Sequence, residues 1–310
     1  MRQFRMLAVG ATLLAVVITA CTSGDGSPSS QPSPSSEPLP TVIVGSANFT
    51  ESAVVGEIYA QALEAAGFTV ERHLYFGTRE TSQPALESGQ LTLMPEYIGA
   101  LAVALGGEAS SDAQATHDTL QALLDAKDLT AFNFTPGADS DGFAVRSETA
   151  DQYDLATLSD VAEVADQLTW GLPPECSERP LCGPGLLEVY GIDITAVPVE
   201  NLNACSPAMA LALDAGAIDV ARVCTTQPQI AQFNFVLLAD DQGLNPAQNM
   251  VPVVTSALAE AGGATLADTL NAVSATLTTD ALTVLQLEVD VNLQDLEAVA
   301  HQWLVDQGLL

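Results

Sequence analysis

Strand-like and helix-like patterns alternate along residues 41–310, which leaves few folds open to the chain. A strand is predicted over 42–46, followed by an amphipathic helix over 51–66 that ends at Gly67. Further strands are predicted over 68–76, 91–94, 144–145, 168–172, 218–223, 235–238 and 251–254, and helices over 79–88, 158–165, 184–190, 207–215, 264–277, 280–289 and 293–307. Strands separated by helices favour an α/β fold with parallel sheets, helices on both faces and ligands at the carboxyl ends of the strands.

The first forty residues have a different composition. Residues 1–5 are basic, residues 6–18 are almost wholly apolar, and Cys21 follows small residues. Because the apolar run is too short for a stable membrane span, residues 1–20 are predicted to be a lipoprotein signal peptide. Cys21 is predicted to carry the lipid, although an ordinary secretory signal with an accidental cysteine is the alternative. Residues 21–40 are rich in Ser and Pro and are predicted to be a disordered tether.

The charge of the chain restricts its partners. Lys and Arg number 8 against 39 Asp and Glu, so the formal net charge is −31 and a nucleic-acid partner is excluded. The sequence has no phosphate-binding loop, nucleophile elbow or metal-ligand spacing. We therefore predict neither an enzyme nor a cofactor.

Cysteines other than Cys21 number four, in a chain predicted to be exported to an oxidising compartment. Cys176 and Cys182 lie in a Pro- and Gly-rich loop and are predicted to form one disulfide, which leaves Cys205 and Cys224 for a second. A zinc site is the weaker alternative because the histidines are scattered and none neighbours a cysteine. No metal is predicted.

Several ordered motifs carry a family resemblance. Residues 44–51, Val-Gly-Ser-Ala-Asn-Phe-Thr-Glu, and residues 95–99, Pro-Glu-Tyr-Ile-Gly, resemble the "G-S-x-N-F-T-E" and "P-E-Y-T-G" motifs of one transporter family. Weaker matches follow in order at 155–168, 178–180, 184–186, 217–220, 225–226, 237–241 and 287–291. Over residues 41–310 the chain resembles the substrate-binding proteins of glycine betaine/carnitine/choline ABC transporters.

The resemblance implies the two-lobe type II periplasmic-binding-protein fold with two hinge crossings. Lobe I is expected from residues 41–142 and 251–310, and lobe II from residues 143–250. The crossings are expected near Phe143 and Gln248. Ligand would bind in the cleft, and closure around it would present a surface to the permease.

The resemblance also implies where the ligand binds. Tyr97 matches a tyrosine of the family's aromatic cage, whose ring face holds a quaternary ammonium group. Thr50 and Thr78 follow predicted strands, where a hydroxyl meets either the ligand or the start of a helix. Thr225 is carried over with the matching Thr-Thr segment.

Other cage positions differ from the family pattern. Where the family has Asn-Thr-Tyr, this chain has Asp141-Gly142-Phe143, so Phe143 keeps a ring face without a hydroxyl. Cys224 and Gln248 stand where the family has further tyrosines. A cage of four tyrosines is therefore not expected, and Gln248 is expected to contact the ligand instead.

Two charged residues suit a zwitterion. Arg179 lies inside the predicted 176–182 disulfide loop, where it could bind a ligand carboxylate through two hydrogen bonds or form a surface ion pair. Asp141 could offset a ligand cation or cap the hinge. A betaine fits both charges, and a polar solute without a quaternary amine is the alternative.

These features predict a monomeric, extracytoplasmic solute-binding component of an ABC importer, lipid-anchored to the outer face of the cell membrane. Its expected ligand is a small zwitterionic or cationic osmoprotectant, and its expected partners are the permease and ATPase subunits. A binding protein for another polar or aromatic solute, and a sensor lipoprotein on the same fold, are the alternatives.

Overall fold

The computed structural model describes residues 39–310. The predicted signal peptide, the lipidation site Cys21 and most of the predicted tether lie outside these residues. Within the described part, no helix combines the length and the apolar character that crossing a membrane requires.

Within residues 39–310 the strands form two five-stranded sheets. The strands are β1 (Thr41–Ala47), β2 (Thr69–Gly77), β3 (Leu93–Tyr97), β4 (Leu129–Ala131), β5 (Asp141–Val145), β6 (Trp170–Leu172), β7 (Val199–Asn201), β8 (Val220–Cys224), β9 (Val236–Leu238) and β10 (Met250–Thr255). The first sheet has the order β2-β1-β3-β10-β4, and the second has the order β7-β6-β8-β5-β9.

Helices surround both sheets. They are α1 (Thr50–Ala65), α2 (Arg79–Glu87), α3 (Ile98–Ala104), α4 (Ala113–Asp125), α5 (Ser147–Tyr153), α6 (Leu158–Ala162), α7 (Gly183–Tyr190), α8 (Pro207–Asp214), α9 (Gln229–Gln232), α10 (Ser256–Thr276), α11 (Thr279–Gln286) and α12 (Leu296–Asp306). Short 3-10 turns occupy Ala165–Gln167 and Pro174–Ser177, and a π-helical turn occupies Leu287–Val291.

The sheets are mixed, so the prediction of parallel sheets is wrong for two strands. β1 pairs in parallel with β2 and β3, whereas β10 runs antiparallel to β3 and β4. In the second sheet, β6 is parallel to β7 and β8, whereas β5 is antiparallel to β8 and β9. The cause is that β5 and β10 enter each sheet from the other one, so no crossover helix sets their direction.

We call the first sheet with its helices lobe I and the second sheet with its helices lobe II. The chain passes from β4 to β5 through residues 132–140, and returns from β9 to β10 through residues 239–249. An isolated β-bridge between Ala138 and Asn249 joins these two connections. The two connections therefore run side by side between the lobes.

Each lobe has its own apolar core. In lobe I, α1 is buried along almost its whole length, and Ile58, Tyr59 and Leu63 are inaccessible to solvent. In lobe II, Trp170 and Phe143 meet edge to face with ring centroids 5.8 Å apart. Burying each such large side chain contributes about 1.5–3 kcal/mol, so both lobes hold their strand ends in fixed positions.

Several element boundaries differ from the sequence prediction, those of β3 and α10 among them. β3 runs from Leu93 to Tyr97 instead of 91–94, and places the Pro-Glu-Tyr motif within the sheet, where Pro95 faces Pro252 of β10. α10 begins at Ser256 instead of 264 and breaks at Gly263, whose φ of +52° favours glycine. The predicted helix is thus only the second half of α10.

Candidate ligand-binding cavity between the lobes

A cavity lies where the strand ends of the two lobes meet. From lobe I it is bordered by residues that follow β1 and β2 and by the end of β3, and from lobe II by residues that follow β6 and β7 and by the end of β8. The space within it, together with open solvent at its mouth, is about 770 Å³. Its position agrees with the expectation that ligands bind at the carboxyl ends of strands.

Two aromatic rings line the lobe I side. Phe49, the residue before α1, stacks on Tyr97 with ring centroids 6.3 Å apart and an angle of 26° between the planes. The Tyr97 side chain is 9 % exposed, and its hydroxyl donates a hydrogen bond of 2.5 Å to Glu51. The hydrogen bond to Glu51 therefore fixes the Tyr97 hydroxyl, while the ring of the same side chain borders the cavity.

A buried acidic group lies behind this ring. Glu51 is fully buried at the start of α1 and accepts hydrogen bonds from the Thr226 hydroxyl at 2.6 Å and the Gln286 amide at 2.7 Å. Thr226 lies in lobe II, while Glu51 and Gln286 lie in lobe I. The Glu51 carboxyl therefore joins the two lobes.

A second buried acid, Asp139, lies on the connection between β4 and β5 and borders the cavity. One carboxyl oxygen accepts from the Thr226 amide at 2.9 Å and from the Thr225 hydroxyl at 3.1 Å. Its other oxygen, Oδ2, has no hydrogen-bond partner among the described residues. Since the side chain is only 3 % exposed, solvent does little to compensate this oxygen.

Burial raises the pKa of both acids. For Asp139, loss of solvent raises the pKa well above 3.8, and the neighbouring Glu51 carboxyl raises it further. For Glu51, burial raises the pKa although hydrogen bonds from Thr226 and Tyr97 oppose the rise. Both shifts have the same physical cause, because a carboxylate that leaves water without a cationic partner loses its hydration energy.

Each guanidinium that borders or adjoins the cavity is already paired with a carboxylate. Arg79 bonds Glu96 with Nε–Oε1 and Nη2–Oε2 distances of 3.2 and 2.6 Å. Arg222 lies 2.5 Å from Asp141, which starts β5. Arg179 donates to both oxygens of Glu80 and lies 3.4 Å from Glu175.

Gln248 borders the cavity from the β9–β10 connection. Its side-chain oxygen accepts from the Ala100 amide at 3.0 Å, while its nitrogen is buried without a partner among the described residues. Gly99 permits this approach, since a Cβ there would lie 2.4 Å from the Ala247 carbonyl oxygen. The Gln248 amide is therefore held with its N–H groups unused.

Both predicted disulfides are present in the structure. Cys205–Cys224 borders the cavity, because Cys224 ends β8 directly opposite Asp141 of β5. Cys176–Cys182 closes the loop that carries Arg179. Asp141 and the two cavity cysteines lie close together, but sulfurs joined in a disulfide are not thiolate ligands for a metal.

The structure brings together five of the ligand-binding residues proposed from the sequence. Around one cavity lie Thr78, Tyr97, Asp141, Arg179 and Gln248.

Three other residues proposed from the sequence lie outside the lining. Thr50 donates instead to Asp290 at 2.6 Å and caps no helix, because Phe49 is the residue before α1. Phe143 is buried in the lobe II core, with the Arg222 guanidinium 5.8 Å from its ring centroid. Thr225 is exposed and reaches the site only through its hydrogen bond to Asp139.

Sequence reasoning missed most of the acidic residues of the site. Glu51 and Glu96 lie inside the two motifs that carry the family resemblance, next to Thr50 and Tyr97. Their place inside these motifs was the available signal. Asp139 and Arg222 carried no such signal, since their proximity to the cavity comes from the connection between lobes and from the β5–β8 pairing.

The two mixed sheets, their two connections and the cavity at the strand ends define a two-lobed type II binding protein. A solved structure described as "Crystal structure of glycine betaine/carnitine/choline ABC transporter" has the same fold. Its TM-score is 0.67 at 23% sequence identity, and the match covers 87% of this chain and 98% of that chain. The predicted fold class is confirmed.

Residues 40–306 match the family described as "Substrate binding domain of ABC-type glycine betaine transport system", and the chain belongs to this family. It is 27% identical over 280 residues to the glycine betaine-binding protein YehZ of Escherichia coli (strain K12), covering 86% of this chain and 90% of that protein. It is 25% identical over 283 residues to the carnitine transport binding protein OpuCC of Listeria monocytogenes serotype 1/2a (strain 10403S), with 90% of each covered. The family is one of transport binding proteins and not of enzymes.

Proposed function

We propose that this protein captures a quaternary-ammonium osmoprotectant of the betaine or choline type in the cavity between its lobes and delivers it to an ABC importer. The permease and ATPase subunits are its partners. The protein acts outside the cytoplasm as a monomer, held at the outer face of the cell membrane by a lipid on Cys21. Family membership and the cavity lining support this proposal.

The observation that carries the proposal is the pairing of aromatic rings with carboxylates around one cavity. A quaternary ammonium group donates no hydrogen bond, so it is recognised through ring faces and negative charge. Phe49 and Tyr97 supply the rings, while Asp139 supplies a carboxyl oxygen without another partner. A cation–π contact of this kind contributes about 0.5–2 kcal/mol.

The rest of the ligand has polar groups to meet. The unused N–H groups of Gln248 suit an oxygen acceptor such as a hydroxyl or carboxylate of the ligand. The Thr78 hydroxyl borders the same space. A small molecule with a cationic end and an oxygen-bearing end therefore fits this cavity.

Closure of the lobes is the proposed mechanism of capture. We place the hinges in the two connections, residues 132–140 and 239–249, so that lobe I comprises residues 41–131 and 250–310 and lobe II comprises residues 141–238. The boundaries expected from the sequence, after residues 142 and 250, lie within two residues of these connections. The Arg179–Glu80 and Thr226–Glu51 contacts join the lobes beside the cavity and hold it closed. Rigid-body closure of this kind changes the outer surface that a permease contacts.

A thermal-shift panel of choline, glycine betaine, carnitine, sugars and amino acids tests this function. A ligand at about one hundred times its dissociation constant adds about 2.7 kcal/mol to the free energy of unfolding, which raises the melting temperature. The matched control ligand is 3,3-dimethylbutan-1-ol, which has the shape of choline without its charge. A shift with a quaternary amine and none with the alcohol is expected. The absence of a melting-temperature shift with every quaternary amine would contradict the proposal.

A further inference from the structure

We propose that Asp139 and Glu51 act together as the counter-ion for the ligand's cationic group, and that the bound cation displaces a proton that the two carboxyls share in the ligand-free protein. This inference rests on the proposed function and deepens it, because it names the residues that determine specificity for charge. It also makes ligand binding depend on pH. Neither acid belongs to the aromatic cage that the family resemblance implies.

The geometry joins the two carboxyls into one unit. Thr226 donates its amide to Asp139 at 2.9 Å and its hydroxyl to Glu51 at 2.6 Å. Thr226 therefore bridges the two carboxyl groups through adjacent donors of one residue. Tyr97 donates to Glu51 from the cavity side, so a change at either carboxyl is transmitted to the ring that borders the cavity.

The groups around this pair include no free cation. Tyr97 of β3 donates to Glu51, Asp141 of β5 raises the pKa of Asp139, and Glu96 lies beside Tyr97. The nearest guanidinium groups, on Arg79 and Arg222, are bonded to Glu96 and Asp141. Every Lys and Arg of residues 39–310 forms an ion pair with another carboxylate; these residues are Arg72, Arg79, Lys127, Arg146, Arg179 and Arg222.

Two adjacent buried carboxyls cannot both ionise without a nearby positive charge. A proton between them satisfies Asp139 Oδ2, the buried oxygen that has no other partner. Burial and mutual repulsion raise the pKa of Asp139 well above 3.8, which favours the protonated form. In the ligand-free protein the pair therefore holds one proton.

A cation in the cavity changes this balance. The ammonium group compensates the negative charge that forms when the shared proton leaves the two carboxyls for solvent. The cation then balances the pair as the proton did before. One positive charge enters as one leaves, and no covalent bond to carbon or nitrogen forms or breaks. The charge of the buried site is unchanged, which avoids the large cost of burying an unpaired ion.

Proton release gives binding a defined pH dependence. If one proton leaves for each cation bound, the association constant rises by up to tenfold for each pH unit over the range in which the free pair is protonated. The measured heat of binding then also varies with the ionisation enthalpy of the buffer. A neutral ligand of the same shape should show neither the pH-dependent affinity nor the buffer-dependent heat of binding.

The test is calorimetric titration of the purified full chain with choline and with glycine betaine from pH 5 to pH 9, in buffers of low and high ionisation enthalpy. The key variant is Asp139→Asn, which keeps an oxygen for Thr226 and places an N–H group toward Glu51. The matched control is Glu178→Gln, which removes an exposed carboxylate that does not border the cavity.

The wild type should release close to one proton per bound cation, as should Glu178→Gln. Asp139→Asn should lose both the proton release and the pH slope, and its affinity should fall at least about tenfold at pH 8. The buffer dependence of the wild type decides the question even if Asp139→Asn fails to fold. Binding with no proton release in the wild type would overturn this inference and leave the proposed function standing. Absence of binding by either ligand at every pH would overturn both.

Discussion

Arg179 of lobe II and Glu80 of lobe I face each other at the cavity mouth and form a two-point ion pair. The Nε and Nη2 atoms of Arg179 each lie 2.9 Å from one oxygen of the Glu80 carboxylate. Glu80 lies in the first turn of α2, whereas Arg179 lies in the loop closed by Cys176–Cys182. The pair therefore connects one lobe to the other through two rigid elements.

We predict that Glu80→Gln weakens ligand binding without harming either lobe. A partly exposed ion pair contributes about 0.2–1 kcal/mol, so the dissociation constant should rise about twofold to fivefold. Calorimetric titration measures the affinity, and small-angle scattering measures the opening of the ligand-free protein. The matched control is Glu178→Gln, an exposed residue of the same loop. Equal affinity in wild type and Glu80→Gln would show that the pair does not hold the lobes together.

Acid should abolish the same contact. The Arg179 hydrogen bonds lower the pKa of Glu80 from 4.5 to about 2. The carboxylate therefore adds stability above pH 4.5, and this contribution is lost as the pH falls toward 2. The difference in melting temperature between wild type and Glu80→Gln should shrink over that window. A difference that stays constant from pH 6 to pH 2 would contradict the assignment.

The Asp139 carboxyl should lower the stability of the ligand-free protein as the pH rises, which is the opposite of the pH dependence expected for Glu80. Its raised pKa means that the folded state keeps a proton that the unfolded chain loses above pH 3.8, so stability falls as the pH rises. Asp139→Asn removes this loss, and we expect it to be about 1–3 kcal/mol more stable than wild type at pH 8 and nearly equal at pH 4. Denaturant unfolding at the two pH values measures the difference. A variant that is less stable at both values would refute this account of the buried carboxyl.

The cavity should prefer a cation to a zwitterion. Because Arg79, Arg179 and Arg222 are all bonded to carboxylates, a ligand carboxylate finds no free cationic partner. A charge-assisted hydrogen bond contributes about 1.5–3 kcal/mol, so choline should bind at least about tenfold more tightly than glycine betaine. Competition titration at pH 8 measures the ratio. Tighter binding of glycine betaine would mean that the ligand displaces Glu80 from Arg179.

Local patterns predicted the first half of lobe I well. β1, α1, β2 and α2 lie within two residues of their predicted bounds, because their periodicity is strong and glycines follow α1 and α2. The segment from α3 to β4 was not predicted, since Ile98–Ala104 consists only of Ile, Gly, Ala, Leu and Val and has no polar face. Its helical state depends on packing against α4, which the local sequence does not record.

The site was harder to predict because its partners come from distant segments. Phe143 supplies an aromatic ring at the sequence position where the family has a tyrosine. The β5–β8 register, however, sets it opposite Arg222, whose guanidinium lies over the ring. Arg179 borders the cavity, and its carboxylate partner Glu80 lies 99 positions away along the chain. Sequence spacing gives residue types at strand ends, whereas pairing across lobes decides which of them remain free for a ligand.

The crystal structure of the choline complex tests the central claim most directly. We expect the trimethylammonium group within about 6 Å of the Tyr97 ring centroid and beside Asp139 Oδ2, with the hydroxyl oxygen accepting from Gln248. The Arg179–Glu80 pair should remain intact. Choline bound outside this cavity, or bound inside it away from both Tyr97 and Asp139, would contradict the account.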